Sequence, residues 1–341
     1  MKLIKTQDAV GHVLCHDVTQ IIKGVLKDAL YRKGHVIAES DIPVLLNLGK
    51  EHVYIWEDDG DKLHENEAAG ILSRLCQNEH MHATEPKEGK IELIADTDAM
   101  LMVDTERLRE INALGEMMIA TRASGSPVKK GDILCGTRII PLVIDRQKME
   151  QVRKVAGNKP LLELLPIKPK KYGLINTGNE VFHGRIDDTF TPVIQEKMAD
   201  HGCEMINRMV LPDDPGQITA AIKSMLDSGA ELVLCTGGMS VDPDDNTPLA
   251  IRNAADRVVS YGAPVLPGAM FMLAYMSDGR PICGLPGCVM YLKRTIFDIV
   301  LPRLLADVPV TASWLAELGN GGLCLGCREC HFPNCAFGKG H

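Results

Sequence analysis

The chain has 341 residues, 45% of them apolar and 24% charged, with a net charge of −8 at neutral pH. That composition excludes a disordered or collagen-like protein, and the length allows two domains with a substantial buried core. The acidic balance argues against a nucleic-acid partner, no apolar stretch reaches the length of a membrane span, and the opening MKLIKTQDAVGHVL lacks an apolar signal core, so a cytoplasmic location is expected.

Residues 1–165 read as a mixed α+β domain of short segments broken by turns. A hairpin is expected over 23–37, turning near Lys33-Gly34, then a short helix over 40–49 with Ser40 as N-cap, and a strand over 51–57. Apolar residues three and four apart predict helix from Asn66 to about Glu79 and from Asp96 to about Ala123, before strands return over 128–145. No catalytic constellation stands out here, and a structural or dimerising role is expected.

PIKPKK (166–171) reads as a linker, and after it the rhythm becomes strand, loop, helix. Strands are predicted at 171–178, 204–212, 230–238 and 281–287. Helices are predicted from Thr191-Pro192, from Asp214-Pro215, from Thr247-Pro248 and over 288–307, with 257–268 extended. The unalternating apolar run AELVLC suits a strand covered on both faces. Repeated units of this kind predict an α/β domain over 168–308, a three-layer, doubly wound, mostly parallel sheet whose ligands bind beyond the carboxyl ends of the strands.

The loops at those ends carry the unusual residues: TGNEV (177–181) with GRIDDTF (184–190), LPDD (211–214), CTGGMSVDPDD (235–245) and GLPGCVM (284–290). Gly237 and Gly238 let backbone N–H groups approach an anion, and Gly287 is expected to open the last helix at the same crevice, so a phosphate fits. Eight acids share these loops: Glu180, Asp187, Asp188, Asp213, Asp214, Asp242, Asp244 and Asp245. So many carboxylates beside an expected phosphate suggest an intervening divalent ion, although Asp214 reads as a helix N-cap.

The ordered run T-G-N-E, G-R-I-x-D, D-D, T-G-G-M-S, P-G and G-L-P-G resembles the molybdopterin-binding domain shared by molybdopterin adenylyltransferases and molybdotransferases, over about residues 170–305. The resemblance implies that Thr177, Gly178, Thr236, Gly237, Gly238, Ser240, Pro267, Gly268, Leu285, Pro286, Gly287 and Cys288 cradle molybdopterin. It also implies that Glu180, Asp188, Asp213 and Asp245 hold Mg2+ or serve catalysis. Self-association into a homo-oligomer is implied as well. The chain departs from the pattern at Thr189-Phe190 (commonly Ser-Asn), Asp242 (Gly), Ala269 (Lys) and Cys288 (Asn). Its N-terminal half is shorter than a full molybdotransferase carries, and a short tail replaces the usual C-terminal β domain. Cys288, at an expected helix start, is a candidate stabilised thiolate that could meet the dithiolene or molybdenum, or a small buried thiol that fills space.

Of eleven cysteines, Cys15, Cys76, Cys135, Cys203, Cys235, Cys283 and Cys288 are scattered, whereas Cys324, Cys327, Cys330 and Cys335 crowd a tail over 309–341. An odd total without a secretion signal disfavours a disulfide framework, and the C-x2-C-x2-C-x4-C spacing, with His331, suits Zn2+ or an iron–sulfur cluster. Gly319, Gly321, Gly322 and Gly326 are expected to keep the approach flexible.

Three functions fit these residues. One is an enzyme that takes adenylylated molybdopterin and molybdate or tungstate and inserts the metal. The second is a carrier that passes finished molybdenum cofactor to a recipient molybdoenzyme, and the third is a cofactor-sensing regulator.

Overall fold

The computed structural model describes residues 2–22, 26–55, 60–240, 242–243 and 245–340. The first residues of the expected hairpin (23–25), the end of the expected strand (56–57) and Asp244 lie outside the described residues. The chain divides into two compact units, one of Met1–Asp96, Val103–Arg122 and Gly131–Glu163, the other of Thr97–Met102, Ala123–Lys130 and Leu164–His341. The excursions 97–102 and 123–130 join the second unit because Ser126–Val128 pairs antiparallel with Ala99–Leu101, and Ile167 donates its N–H to the Asp98 carbonyl at 3.0 Å. No described helix is long and apolar enough to cross a membrane.

The first unit is mixed α+β. Its main sheet is antiparallel, ordered Met81–Ala83, Ile91–Ala95, Ile133–Ile139, Met117–Thr121, with helix Glu65–Cys76 started by a capping box at His64. Two expectations are corrected. Strand Leu26–Tyr31 pairs with the upstream strand Val18–Ile22, not across Lys33-Gly34. The long helix expected over 96–123 is instead strand Ala99–Val103, helix Thr105–Ala113 and strand Met117–Thr121. Asp104 caps the short helix by accepting from the Arg107 N–H, and left-handed Gly115 (φ 74°) and Glu116 (φ 61°) end it.

The second unit holds the predicted doubly wound sheet. Its elements are β1 (Lys171–Thr177), α1 (Phe190–Ala199), β2 (Glu204–Leu211), α2 (Pro215–Asp227), β3 (Leu232–Thr236), α3 (Thr247–Ala254), β4 (Arg257–Tyr261), β5 (Met272–Tyr275), β6 (Pro281–Leu285) and α4 (Ile296–Leu305). The six strands lie in the order β2-β1-β3-β6-β5-β4. The first four are parallel, and β5 and β4 add an antiparallel edge. Alternation along each strand sorts side chains to two faces. Tyr172, Leu174, Leu232, Leu234, Cys283 and Leu285 join α1 and α4 in one core, while Ile175, Val233, Cys235 and Ile282 join α2 and α3 in the other. Three layers result.

The final helix also corrects its prediction. Only a four-residue 3-10 turn, Gly287–Met290, follows β6, and α4 begins at Ile296. Thr295 supplies a better start: its hydroxyl accepts from the Phe297 N–H at 3.2 Å while Asp298 accepts from the Thr295 N–H at 2.8 Å. The tail adds a short helix, Ala312–Glu317, and Gly319, Gly321 and Gly322 serve close packing, since a β-carbon on Gly322 would stand 2.5 Å from the Pro264 carbonyl oxygen, whereas Gly326 has open space around it.

Leu234 is fully buried on the central strand β3. Leu234→Ala should cost about 2–5 kcal/mol and lower the urea midpoint; an unchanged midpoint would contradict this placement.

Candidate functional site

Strand register gathers four turns at one rim, three of them bearing glycine. Thr177 pairs with Leu211, Asn176 with Thr236, and Thr236 with Leu285. The residues just beyond each pair are therefore neighbours: Gly178, Pro212-Asp213, Gly237 and Pro286.

Hydrogen bonds then stitch the turns together. The Gly178 N–H reaches the Leu211 carbonyl at 3.3 Å, and the Asn179 N–H reaches Asp213 Oδ2 at 2.9 Å. Asn246 Nδ2 donates to the Asp213 carbonyl at 3.0 Å, and the Thr177 and Thr247 hydroxyls lie 2.9 Å apart. Backbones meet closely where glycine permits. A β-carbon on Gly237 (φ 83°) would collide with the Thr177 carbonyl, and one on Gly238 (φ 54°) would stand 3.0 Å from Thr247 Oγ1. Tyr261, on β4, donates its hydroxyl to the carbonyls of Met239 (2.9 Å) and Ser240 (3.1 Å), which pins the far side of the TGGMS loop. The Thr189 hydroxyl contacts the Met290 sulfur, joining the acidic loop to the turn after β6. Gly268 (φ 125°) packs under α4, since a β-carbon there would stand 2.6 Å from Ile296 Cγ2, and Pro267 accepts from the Ile296 N–H at 3.2 Å.

The Thr236 hydroxyl, fully buried at the end of β3, has no hydrogen-bond partner among the described residues. An unpaired buried hydroxyl is costly, so its place at the rim suits a ligand-binding end of the sheet. A cavity of about 520 Å3 in this unit is not this site. Its lining, which includes Lys170, Arg257, Tyr275 and Asp307, lies at the amino ends of the parallel strands, and Lys170 already pairs with Asp307 at 2.5 Å.

The predicted acids do not act as one set. Asp188 is half-buried and saturated: it accepts from Asn176 Nδ2 (2.9 Å), from the N–H groups of Phe190 (2.9 Å) and Thr191 (3.0 Å), and from the Thr191 hydroxyl, and it pairs with Arg208. Burial alone would raise its carboxyl pKa, but the Thr191 bonds and the Arg208 guanidinium outweigh it and hold the group below the usual carboxylate range. Such a group starts α1 rather than offering lone pairs to an ion. Asp214 caps α2 through the Gln217 N–H at 2.7 Å, as the sequence suggests. Asp213 and Asp245 are half-buried, and Asp187, Asp242 and Ser240 are exposed. Glu180 is exposed and folds back toward Gly178.

Cys288 sits in the 3-10 turn, where burial pushes its thiol pKa up, which favours the small space-filling thiol over the dipole-stabilised thiolate. A single turn lacks the summed dipole of a helix. Among the described residues no three His, Cys, Asp or Glu side chains gather closely enough to hold a metal ion. That holds for the Mg2+ expected at the acids and for the tail ligands Cys324, Cys327, Cys330, Cys335 and His331. Sequence reasoning missed Asn176, Arg208, Asn246, Thr247 and Tyr261. Asn176 and Thr247 adjoin the motifs and could have been suspected, but nothing local marks Arg208 or Tyr261.

A rim of stitched turns at the carboxyl ends of a doubly wound sheet defines a three-layer α/β domain of the kind that binds ligands at that rim. Residues 173–306 match the family described as "Probable molybdopterin binding domain", and this segment belongs to that family. Residues 3–57 match a domain of unknown function. The chain is 27% identical over 196 residues to a molybdopterin molybdenumtransferase of Synechococcus elongatus, covering 54% of this chain and 46% of that protein. It is 29% identical over 93 residues to a CinA-like protein of Mycobacterium avium, covering 27% of this chain and 21% of that one. The chain thus spans less than half the length of these relatives. A MoaB structure from Thermus thermophilus aligns at 25% identity and a TM-score of 0.35, covering 41% of this chain and 96% of that one.

The Asp188 network has a pH signature. The folded carboxyl titrates below its unfolded value near 3.9, so its contribution is present above that pH and is lost as pH falls through the folded pKa. Asp188→Asn should destabilise the protein at pH 7 by about 1–3 kcal/mol, and its gap from the parent should narrow below about pH 4 in urea melts. A gap independent of pH would show that the carboxylate charge is not what its partners recognise.

Proposed function

We propose that the carboxyl rim of the second unit binds molybdopterin through its phosphate, and that the chain works in molybdenum cofactor biosynthesis as a molybdotransferase-like protein. The observation that carries the reading is the convergence of the Gly178, Asp213, Gly237-Gly238 and Pro286-Gly287 turns at one strand-end rim. Backbone N–H groups of Gly237, Gly238 and Gly287 cradle the phosphate, because no β-carbon keeps them from it. The Thr236 and Ser240 hydroxyls add donors, and Thr177, Gly178, Pro267, Gly268, Leu285 and Pro286 shape the walls. Cys288, held as a neutral thiol by burial, lines the turn as a small side chain. The substrates would be adenylylated molybdopterin and molybdate or tungstate. Asp213, Asp245 and Glu180 remain as candidates to direct hydrolysis that releases AMP, with Asp188 as the positioning group that starts α1. The acids do not assemble a Mg2+ site among the described residues.

A second reading rests on a specific observation: Asp188 is neutralised by Arg208 and so withheld from catalysis. On that reading the chain holds finished cofactor and hands it to a recipient molybdoenzyme. Incubation with adenylylated molybdopterin and molybdate separates the two. The enzyme releases AMP and loses at least about 90% of the rate in Asp213→Asn, a loss near 1.4 kcal/mol of barrier; a carrier binds the pterin and releases no AMP. Gly237→Ala should weaken pterin affinity at least about tenfold, because the new β-carbon collides with the Thr177 carbonyl. Unchanged affinity in a folded Gly237→Ala protein would remove the phosphate cradle from this rim.

A further inference from the structure

The cysteine tail is absorbed by none of this, yet it is built as a closed loop. The Gly338 N–H donates to the Gly321 carbonyl at 3.0 Å, which ties residues 321 and 338 together. On the entering side, the Leu266 N–H reaches the Gly322 carbonyl and the Cys324 N–H reaches the Leu266 carbonyl, each at 2.8 Å. On the leaving side, Phe337 is buried in the α4 face of the core, and Gly338 packs against Ile299 so closely that a β-carbon would stand 2.7 Å from Ile299 Cδ1.

Within this loop the thiols fall in two tiers. Cys324 lies three residues after Gly321 and Cys335 three before Gly338; both are half-buried against the core. Cys327 and Cys330 are exposed at the tip. The tip is tethered as well: Arg294 stacks over the Phe332 ring at 5.2 Å and is itself fixed by Asp298 at 2.9 Å, and the Cys330 thiol lies within its electrostatic reach. As they stand, the four sulfurs do not share a centre. The base is already closed by backbone hydrogen bonds, so bringing the tip over it costs little further chain entropy.

We propose that Cys324, Cys327, Cys330 and Cys335 close around one zinc ion, the loop tip folding onto its anchored base. Zn2+ takes four thiolates tetrahedrally, each thiol releasing its proton on binding, and the resulting dianionic centre lies beside the Arg294 guanidinium, whose Nε is buried without a partner among the described residues. The proposal is independent of the pterin reading, since no tail thiol belongs to the rim.

The test uses the full chain, reduced and stripped of metal, then titrated with Zn2+ against a chromogenic chelator, with Co2+ as the spectroscopic probe. Expected are one zinc per chain, thiolate-to-cobalt charge-transfer bands, and hydrogen-exchange protection of residues 325–334 on zinc binding. The exposed-pair variant Cys327→Ser/Cys330→Ser should weaken zinc at least about 100-fold while circular dichroism stays unchanged, and His331→Ala should leave zinc in place. Failure to bind zinc, retention of zinc by the double variant, loss in His331→Ala, or iron with acid-labile sulfide in the protein as purified would each overturn the assignment.

Discussion

Parallel pairing of β1 with β2 and β3, and of β3 with β6, is the constraint on which the rest of the second unit depends. Because Asn176, Thr236 and Leu285 lie in one row across three hydrogen-bonded strands, the chain must turn at the same level four times. Each turn has to pass its neighbour at backbone distance, and a side chain at Gly237 or Gly268 would strike the adjoining element. The glycines are therefore first a packing requirement of the rim.

Charge at that rim is divided between structure and chemistry. Asp188 and Asp214 serve the starts of α1 and α2, and Asp298 serves α4. Asp213 does both kinds of work: its carboxylate fixes the Asn179 backbone while its carbonyl holds Asn246, so one residue links three turns. Of the carboxylates clustered in sequence, two thus serve helix starts and one a junction in the fold. Among the described residues no three of them gather to hold an ion.

The tail is integrated into the second unit rather than hung from it. Leu266, which pairs with Leu323, directly precedes the Pro267-Gly268 turn, and Arg294 precedes the capping box of α4. Any ordering of the cysteine loop would therefore bear on segments that also frame the rim, which gives a short Cys-rich extension a structural reason to sit beside a pterin-binding domain.

The sequence by itself determined the α/β alternation after residue 170, the strand-end position of the glycine and acid motifs, and the family of residues 173–306. Those follow from local physics, namely unbroken apolar strands, Pro and Asp at helix starts, and glycine where backbones must meet. It misjudged 96–123 and 288–307, where apolar spacing fits a helix but Asp104, Gly115 and Thr295 place the breaks. Only the tertiary structure decided which acids stay free, because Arg208 comes to Asp188 from an edge strand and Tyr261 to the TGGMS loop from the far side of the sheet. Contacts of that kind join residues about twenty positions apart through three-dimensional packing, and no periodicity along the chain encodes them.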